Sequence, residues 1–310
     1  MPVKTSVDYL KEALDYRNNY EQKVREAAQH VKRFLGDKKP AFGITLGSGL
    51  GEIATITKQE IIIPYSEIPY FPTMTVPSHE GKLIIGSIEG VPVIVLKGRK
   101  HYYEVADEPF SNGMLKVVFP VHVLAELGVK RWFTTNATGA LNPAYKVGDL
   151  MIVKSHISFL PNPLLGRQHD FKRVNDAKPV LRFQPMHEAY DSSLRKLLLK
   201  AAEPYKDFVH EGMLLAVTGP TYETHAESLF FRKGLGVDAV GMSVPPEIVV
   251  AANRGMRAVA FSCITDVIHK DGSNPTSHEE VMSVLNSQEV KKRFEGIVRG
   301  FFRLYRETSQ

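Results

Sequence analysis

An arginine and a histidine two residues apart, at the end of an apolar run, form the first pairing in this chain suited to chemistry. In Gly98-Arg99-Lys100-His101-Tyr102-Tyr103-Glu104, an extended backbone puts Arg99 and His101 on one side with Tyr103 next in line. Such a pair suits an oxyanion, because both groups donate hydrogen bonds and neither repels negative charge. The same residues also read as a surface arginine beside a packed histidine. Gly47-Ser48-Gly49-Leu50-Gly51 follows another apolar run and can turn backbone N–H groups towards an anion. A purely structural turn explains it equally well. The loop lacks the last glycine of the dinucleotide fingerprint and the Lys-Ser/Thr pair of a nucleotide triphosphate loop. It is no nucleophile elbow either, since Leu46 stands where the first glycine belongs. Further on, Thr218-Gly219-Pro220-Thr221-Tyr222-Glu223-Thr224 offers an aromatic ring and a carboxylate. Val240-Gly241-Met242-Ser243 and Ile264-Thr265-Asp266 offer thioether, hydroxyl and acid. Each is also compatible with an ordinary strand end, and Met242 with core packing.

Other chemistries find little support. The 11 histidines include no pair at i, i+4, and His79-Glu80 does not continue into a zinc-protease motif, so no metal site is expected. Cys263, the single cysteine, lies inside the apolar run 258–264 and reads as a packed thiol rather than a nucleophile.

The elements that must position these residues alternate between strand and helix. Residues 6–36 read as one or two amphipathic helices ending near Gly36. Strands are expected over 41–46, 83–88 and 91–96, the last two joined at Glu89-Gly90. A helix over 114–127 stops at Gly128 and is followed by a strand at 132–135. Further strands fall at 151–154, 213–218, 237–241 and 258–264. The intervening helices are expected at 190–202, 226–233 and 247–254, and one long helix at 279–305. This alternation implies an α/β fold: a single domain over 1–310, with a mixed central sheet flanked by helices and residues 1–38 as an N-terminal helical extension. Residues 159–185, rich in Pro, Arg, Lys and Asn, form a long irregular excursion of the kind that serves as a lid or a contact between subunits. Ser48, Arg99, Asn136, Glu223, Ser243 and Asp266 all fall where strands are expected to end, which is where open α/β sheets collect ligands.

Composition narrows the class of partner. The chain has 310 residues, 43% of them hydrophobic and 24% charged, enough for a large core. No apolar run approaches the length of a membrane span, and the polar first 20 residues do not resemble a secretion signal. With one cysteine there is no intramolecular disulfide, and a cytoplasmic location is expected. The formal charge of +5 comes from Lys and Arg interleaved with Asp and Glu. The basic clusters lack the aromatic residues that would stack on bases, so nucleic acid is not expected as a partner.

Taken together, these segments resemble the trimeric purine nucleoside phosphorylases, a family that also contains methylthioadenosine phosphorylases. The resemblance runs over residues 40–305 and rests on the segments quoted above, together with Thr75-Val76-Pro77-Ser78-His79, Thr135-Asn136-Ala137-Thr138-Gly139, Asp238-Ala239 and His278-Glu279-Glu280. It implies phosphorolysis of purine nucleosides to free base and pentose 1-phosphate, with inorganic phosphate as co-substrate and no metal or organic cofactor. It places phosphate on Ser48, His79, Arg99, His101, Ala137 and Ser243. Ribose falls against Tyr103, Met242 and His278. The base falls among Ala137, Tyr222, Glu223, Val240, Thr265, Asp266 and Ile268, and catalysis falls to His101, Glu223 and Asp266. It further implies a homotrimer in which a phenylalanine from a neighbour covers the ribose, and Phe171 is the candidate.

The chain departs from the family pattern in several places. Thr138 replaces a small residue, residues 105–112 look longer than their counterpart, and 159–185 align poorly. Asp266 stands where the phosphorolytic group that accepts 6-oxopurines usually carries asparagine. The aspartate favours methylthioadenosine phosphorylase as the alternative. Glu223, unneeded for adenine, and His278, suited to a 5′-hydroxyl, oppose it. A non-catalytic nucleoside- or phosphate-binding protein is a second alternative, which the joint presence of both residue sets opposes.

Overall fold

The computed structural model describes residues 5–47, 54, 56–75, 80–274 and 277–308. Two helices open the chain, α1 (Ser6–Asn18) and α2 (Tyr20–Leu35). They part at Asn19, which serves as C-cap of one and N-cap of the other. The buried side chains of α2 (Tyr20, Val24, Ala27, Ala28, Val31 and Leu35) recur at helical spacing on one face. That face joins Phe119 and Leu115 of α3 (Asn112–Glu126) in one large apolar cluster.

The sheet starts with β1 (Phe42–Leu46), β2 (Lys58–Pro64), β3 (Lys82–Ile88) and β4 (Val91–Lys97). It continues with β5 (Arg131–Ala140), β6 (Leu150–Ser158), β7 (Val209–Ala216), β8 (Ala239–Gly241) and β9 (Arg257–Val267). The spatial order is β2-β3-β4-β1-β5-β8-β7-β6-β9, and β9 also pairs with β5. The far half of the sheet therefore closes on itself, while β2, β3, β4 and β1 extend from it as an open wing. β5 is parallel to β1 and β9 but antiparallel to β8, so the sheet is mixed. The remaining helices are α4 (Ser192–Ala202), α5 (His225–Phe230), α6 (Pro245–Asn253), α7 (His278–Asn286) and α8 (Gln288–Thr308). Phe301 and Phe302 of α8 pack edge-on against Phe42 of β1, forming a second core on the other face of the sheet.

The expected α/β order holds, with three differences. β2 was not expected: its Lys58-Gln59-Glu60 start is polar because most of that edge strand is exposed. β5 and β6 run several residues beyond the apolar runs that mark them, so Asn136 lies within a strand rather than after it. The single long C-terminal helix is two, broken at Ser287, whose backbone is extended between α7 and α8. Among the described residues no helix is long and apolar enough to cross a membrane.

Candidate active site

The cavity opens where β5 changes partners. β1 pairs with β5 as far as Thr134, and β8 joins β5 only at Gly139. Between them Asn136, Ala137 and Thr138 face an open crevice. Open α/β sheets bind ligands at such switch points. Gly47, one residue past β1, must be a glycine: a Cβ there would stand 2.6 Å from the carbonyl oxygen of Thr135. This close approach seats Gly47 against β5 at the wall of the crevice.

One end of the cavity is cationic and heavily braced. Arg99, just past β4, is 5% exposed. It donates to Ser243 Oγ at 2.8 Å, to Thr134 Oγ1 at 2.8 Å and to the Thr135 carbonyl at 2.7 Å. Its Nε lies 3.2 Å from Glu247 of α6, a buried carboxylate that also accepts from Thr134 and Trp132. Burial lowers the Arg99 pKa and Glu247 opposes this. Ser243 is followed by Val244, a buried β-branched residue at φ 82°, which turns the chain into α6. Strain of this kind persists where the surroundings over-determine a conformation.

His101 caps the short turn Tyr102–Glu104, and its backbone N–H donates to Glu104 Oε1 at 2.7 Å. Its ring Nδ1 lies 3.2 Å from the same oxygen. Glu104 also accepts from Lys100 at 2.8 Å and from the Thr75 hydroxyl. Burial raises the Glu104 pKa, but these bonds outweigh it and hold the carboxyl well below its usual range. Burial lowers the pKa of His101 against its hydrogen bond to Glu104, and Arg99 lowers it further, which favours a neutral ring. The His101 and Tyr103 rings stack at 5.0 Å. A Cβ on Gly219 would lie 2.4 Å from Met242 Sδ and 3.1 Å from the Tyr103 ring, so all three close on one wall.

The other end is acidic. Glu223 and Tyr222 come from the loop after β7, and Asp266 and Thr265 come from β9. β9 carries a bulge between its pairings Thr138↔Ile264 and Gly139↔Asp266, so Thr265 is the extra residue. Bulges re-aim side chains beside sites. Asp266 accepts from Thr265 Oγ1 and from Asn274 Nδ2, each at 2.8 Å. Burial raises the Asp266 pKa against these two bonds. Burial also raises that of Glu223, reinforced by Asp266 and opposed by a backbone hydrogen bond. Tyr222 is 41% exposed at the mouth, where His278 at the start of α7 also lines the cavity. Ser277 fixes that helix start through a capping box with Glu280.

The structure thus brings Arg99, His101, Tyr103, Ala137, Tyr222, Glu223, Val240, Met242, Ser243, Thr265, Asp266 and His278 to one cavity. Ser48 and His79 lie outside the described residues. Two expectations are corrected. Phe171 does not reach towards a neighbour: it is 1% exposed, stacked on His122 at 4.5 Å, with the Arg254 guanidinium over its ring. Ile268 packs behind Val240 with Leu141, Leu215 and Phe231 and does not line the cavity. The excursion is held by its own subunit as well, since Arg167 and His169 both bind Glu21 of α2.

Sequence reading gave no role to Glu247, Glu104 or Asn274. Glu247 looked like an ordinary acid in a first helical turn, and only the fold shows that it meets Arg99. Among the described residues there is no group of three or more His, Cys, Asp or Glu able to hold a metal ion.

Comparison with known proteins agrees with this geometry. Residues 41–303 match the family model described as the phosphorylase superfamily. Purine nucleoside phosphorylase 1 of Bacillus subtilis is 40% identical over 91% of this chain and 98% of its own length. The Geobacillus stearothermophilus protein of the same name is 41% identical over 90% and 97%. The Schistosoma mansoni purine nucleoside phosphorylase, solved in complex with adenosine, superposes with a TM-score of 0.76 at 35% identity, covering 90% of this chain and 96% of that one. The chain belongs to the phosphorylase superfamily, within its purine nucleoside phosphorylases.

Proposed function

We propose that the cationic end of the cavity binds inorganic phosphate, that the acidic end binds the purine, and that ribose lies between them against Tyr103 and Met242. The reaction is phosphorolysis of purine nucleosides. A phosphate oxygen bonds to C1′ as the C1′–N9 bond breaks, and the electron pair leaves with the purine, which takes up a proton. Positive charge grows on the sugar and negative charge on the base. A phosphate dianion stabilises the first electrostatically and attacks from the opposite face. The observation that carries the assignment is that one cavity has Arg99, His101 and Ser243 at one end and two carboxylates, Glu223 and Asp266, at the other. Glu223 accepts from N1–H of a 6-oxopurine, and His278 at the mouth meets the 5′-hydroxyl. Ser48 and His79 complete the phosphate set in this reading.

Asp266 shifts the preference towards 6-aminopurines such as adenosine. An ionised carboxylate only accepts and leaves a 6-oxo group without a hydrogen between the two oxygens, whereas a 6-amino group donates to it. The direct test is phosphate-dependent release of base from a panel of inosine, guanosine, adenosine, methylthioadenosine and pyrimidine nucleosides. Release from no purine nucleoside would overturn the whole assignment, and methylthioadenosine as best substrate would overturn the 5′-hydroxyl role of His278.

A homotrimer is the assembly proposed. Phe183 is 88% exposed and Leu165 67%, beside an open groove that also includes Met186 and Val249. A neighbouring copy covering this groove explains so large an exposed apolar patch. Light scattering should give three subunits, and Phe183→Asp should weaken the assembly. A fully active monomer would refute it. The lone, buried Cys263 fits a cytoplasmic location, which cell fractionation tests.

A further inference from the structure

We propose that Asn274 is a positioning residue that holds Asp266 as a hydrogen-bond acceptor facing the cavity, and so selects nucleosides whose base carries a 6-amino donor. The inference rests on the reading of Asp266 as part of the base site. The Asp266 carboxylate is 5% exposed and gripped from three directions. Thr265 Oγ1 donates to Oδ1 and Asn274 Nδ2 donates to Oδ2, each at 2.8 Å. On the third side Gly139 lies opposite in the sheet, and a Cβ there would stand 2.7 Å from Oδ2.

Asn274 does not line the cavity, so its effect on a substrate passes through Asp266. A purpose-built turn delivers it: His269 N–H donates to the Ser273 carbonyl at 2.9 Å, Arg232 donates to the carbonyls of His269 and Lys270, and Ser273 binds Asp271. An amide N–H aimed at a buried acid stabilises its ionised form. Burial pushes the other way. Asn274 therefore works against burial, in favour of a carboxylate whose remaining lone pairs accept from a 6-amino group and oppose a 6-oxo group.

The experiment compares kcat/KM for adenosine and inosine in the wild type, Asn274→Ala, Asn274→Gln and Asp266→Asn. Asn274→Ala should lower the adenosine-to-inosine ratio by about fivefold or more, the effect of one hydrogen bond to a charged group. Asn274→Gln, which keeps the amide, should recover at least part of the loss. A ratio unchanged in Asn274→Ala but lowered in Asp266→Asn overturns the role of Asn274 alone. A ratio unchanged in both overturns the reading of Asp266 as well. If Asn274→Ala is too slow for kinetics, calorimetric affinities for adenine and hypoxanthine answer the same question. An adenine preference kept in that variant overturns the proposal, and one that falls supports it.

Discussion

At the cationic end of the cavity, each charged side chain is answered by another; at the acidic end, two carboxylates face the same space. Arg99 meets Glu247, and Lys100 meets Glu104 beneath His101. Burial works against the charges of Arg99 and Glu104, and their partners oppose it. Glu223 and Asp266 are instead pushed up by burial, and Asp266 makes ionisation of Glu223 harder still. One end is thus a fixed, pre-charged frame of the sort that stabilises an oxyanion without reorganising. The other end is adjustable, because its charge state depends on neighbours and on the ligand. The reaction needs the first in every turnover, whereas the second determines which purine is taken.

The largest effect expected from this contrast is at Arg99. Arg99→Ala removes a cavity cation and strands Glu247 in the core, so it should destabilise the fold by about 3–5 kcal/mol, seen as a large fall in melting temperature. Phosphate-dependent turnover should fall with it. Stability close to wild type would show that the Arg99–Glu247 pair does not brace the frame. Next is Glu104→Gln, which keeps the shape but removes the charge that Lys100 and His101 share. A loss of about 2 kcal/mol, mostly as a raised KM for phosphate, is the expected size for a charged hydrogen bond. A raised KM for nucleoside instead would place Glu104 in the wrong half of the contrast.

How far each end was legible in the sequence follows the same division. Arg99, His101, Glu223 and Asp266 were readable because each stands just past an apolar run or, for Asp266, at its end, and strand ends can be found from local pattern. The counter-charges were not readable. Glu247 is 148 residues from Arg99 in the chain, and no local signal links a helical glutamate to that arginine. Asn274 looked like loop composition, and the bulge at Thr265 that aims Asp266 leaves no trace in an apolar run. Phe171 misled for a related reason: an aromatic residue in a polar, Pro-containing excursion looks exposed, yet here the excursion folds back onto α2 and buries it. The alternation of elements was readable because hydrophobic period is a short-range property. The closure of β5 onto β8 and β9 is long-range, and that closure makes the cavity.

A third test moves to the acidic end. Glu223→Gln keeps the shape and removes a carboxylate that burial already makes hard to ionise. Stability should therefore stay within about 1 kcal/mol of wild type or rise slightly. Inosine turnover should nevertheless drop by about tenfold or more, since the amide oxygen offers N1–H only a neutral hydrogen bond in place of a charge-assisted one. A stability loss as large as that of Arg99→Ala would erase the distinction between frame and adjustable end.

The smallest effect, and the most specific, is on pH dependence. Asp266 has a raised pKa, from burial first, against the bonds from Thr265 and Asn274. Its protonated form therefore persists to higher pH than in a free aspartate. Protonated, it donates to O6 or N7 of a 6-oxopurine; ionised, it accepts from a 6-amino group. The adenosine-to-inosine ratio of kcat/KM should accordingly rise several-fold as pH climbs through the range above that of an ordinary aspartate. Glu223, raised by burial and by Asp266, also ionises as pH climbs, but because its carboxylate accepts from N1–H of a 6-oxopurine, its ionisation favours inosine and blunts the rise. His101 and Arg99 act on phosphate, which both substrates share, so their titration cancels in the ratio. Asp266→Asn cannot ionise and should abolish the rise, leaving only the opposite slope that Glu223 contributes. A ratio that is flat in the wild type, or that keeps its full slope in Asp266→Asn, would mean that selection between the two purines lies outside this carboxylate.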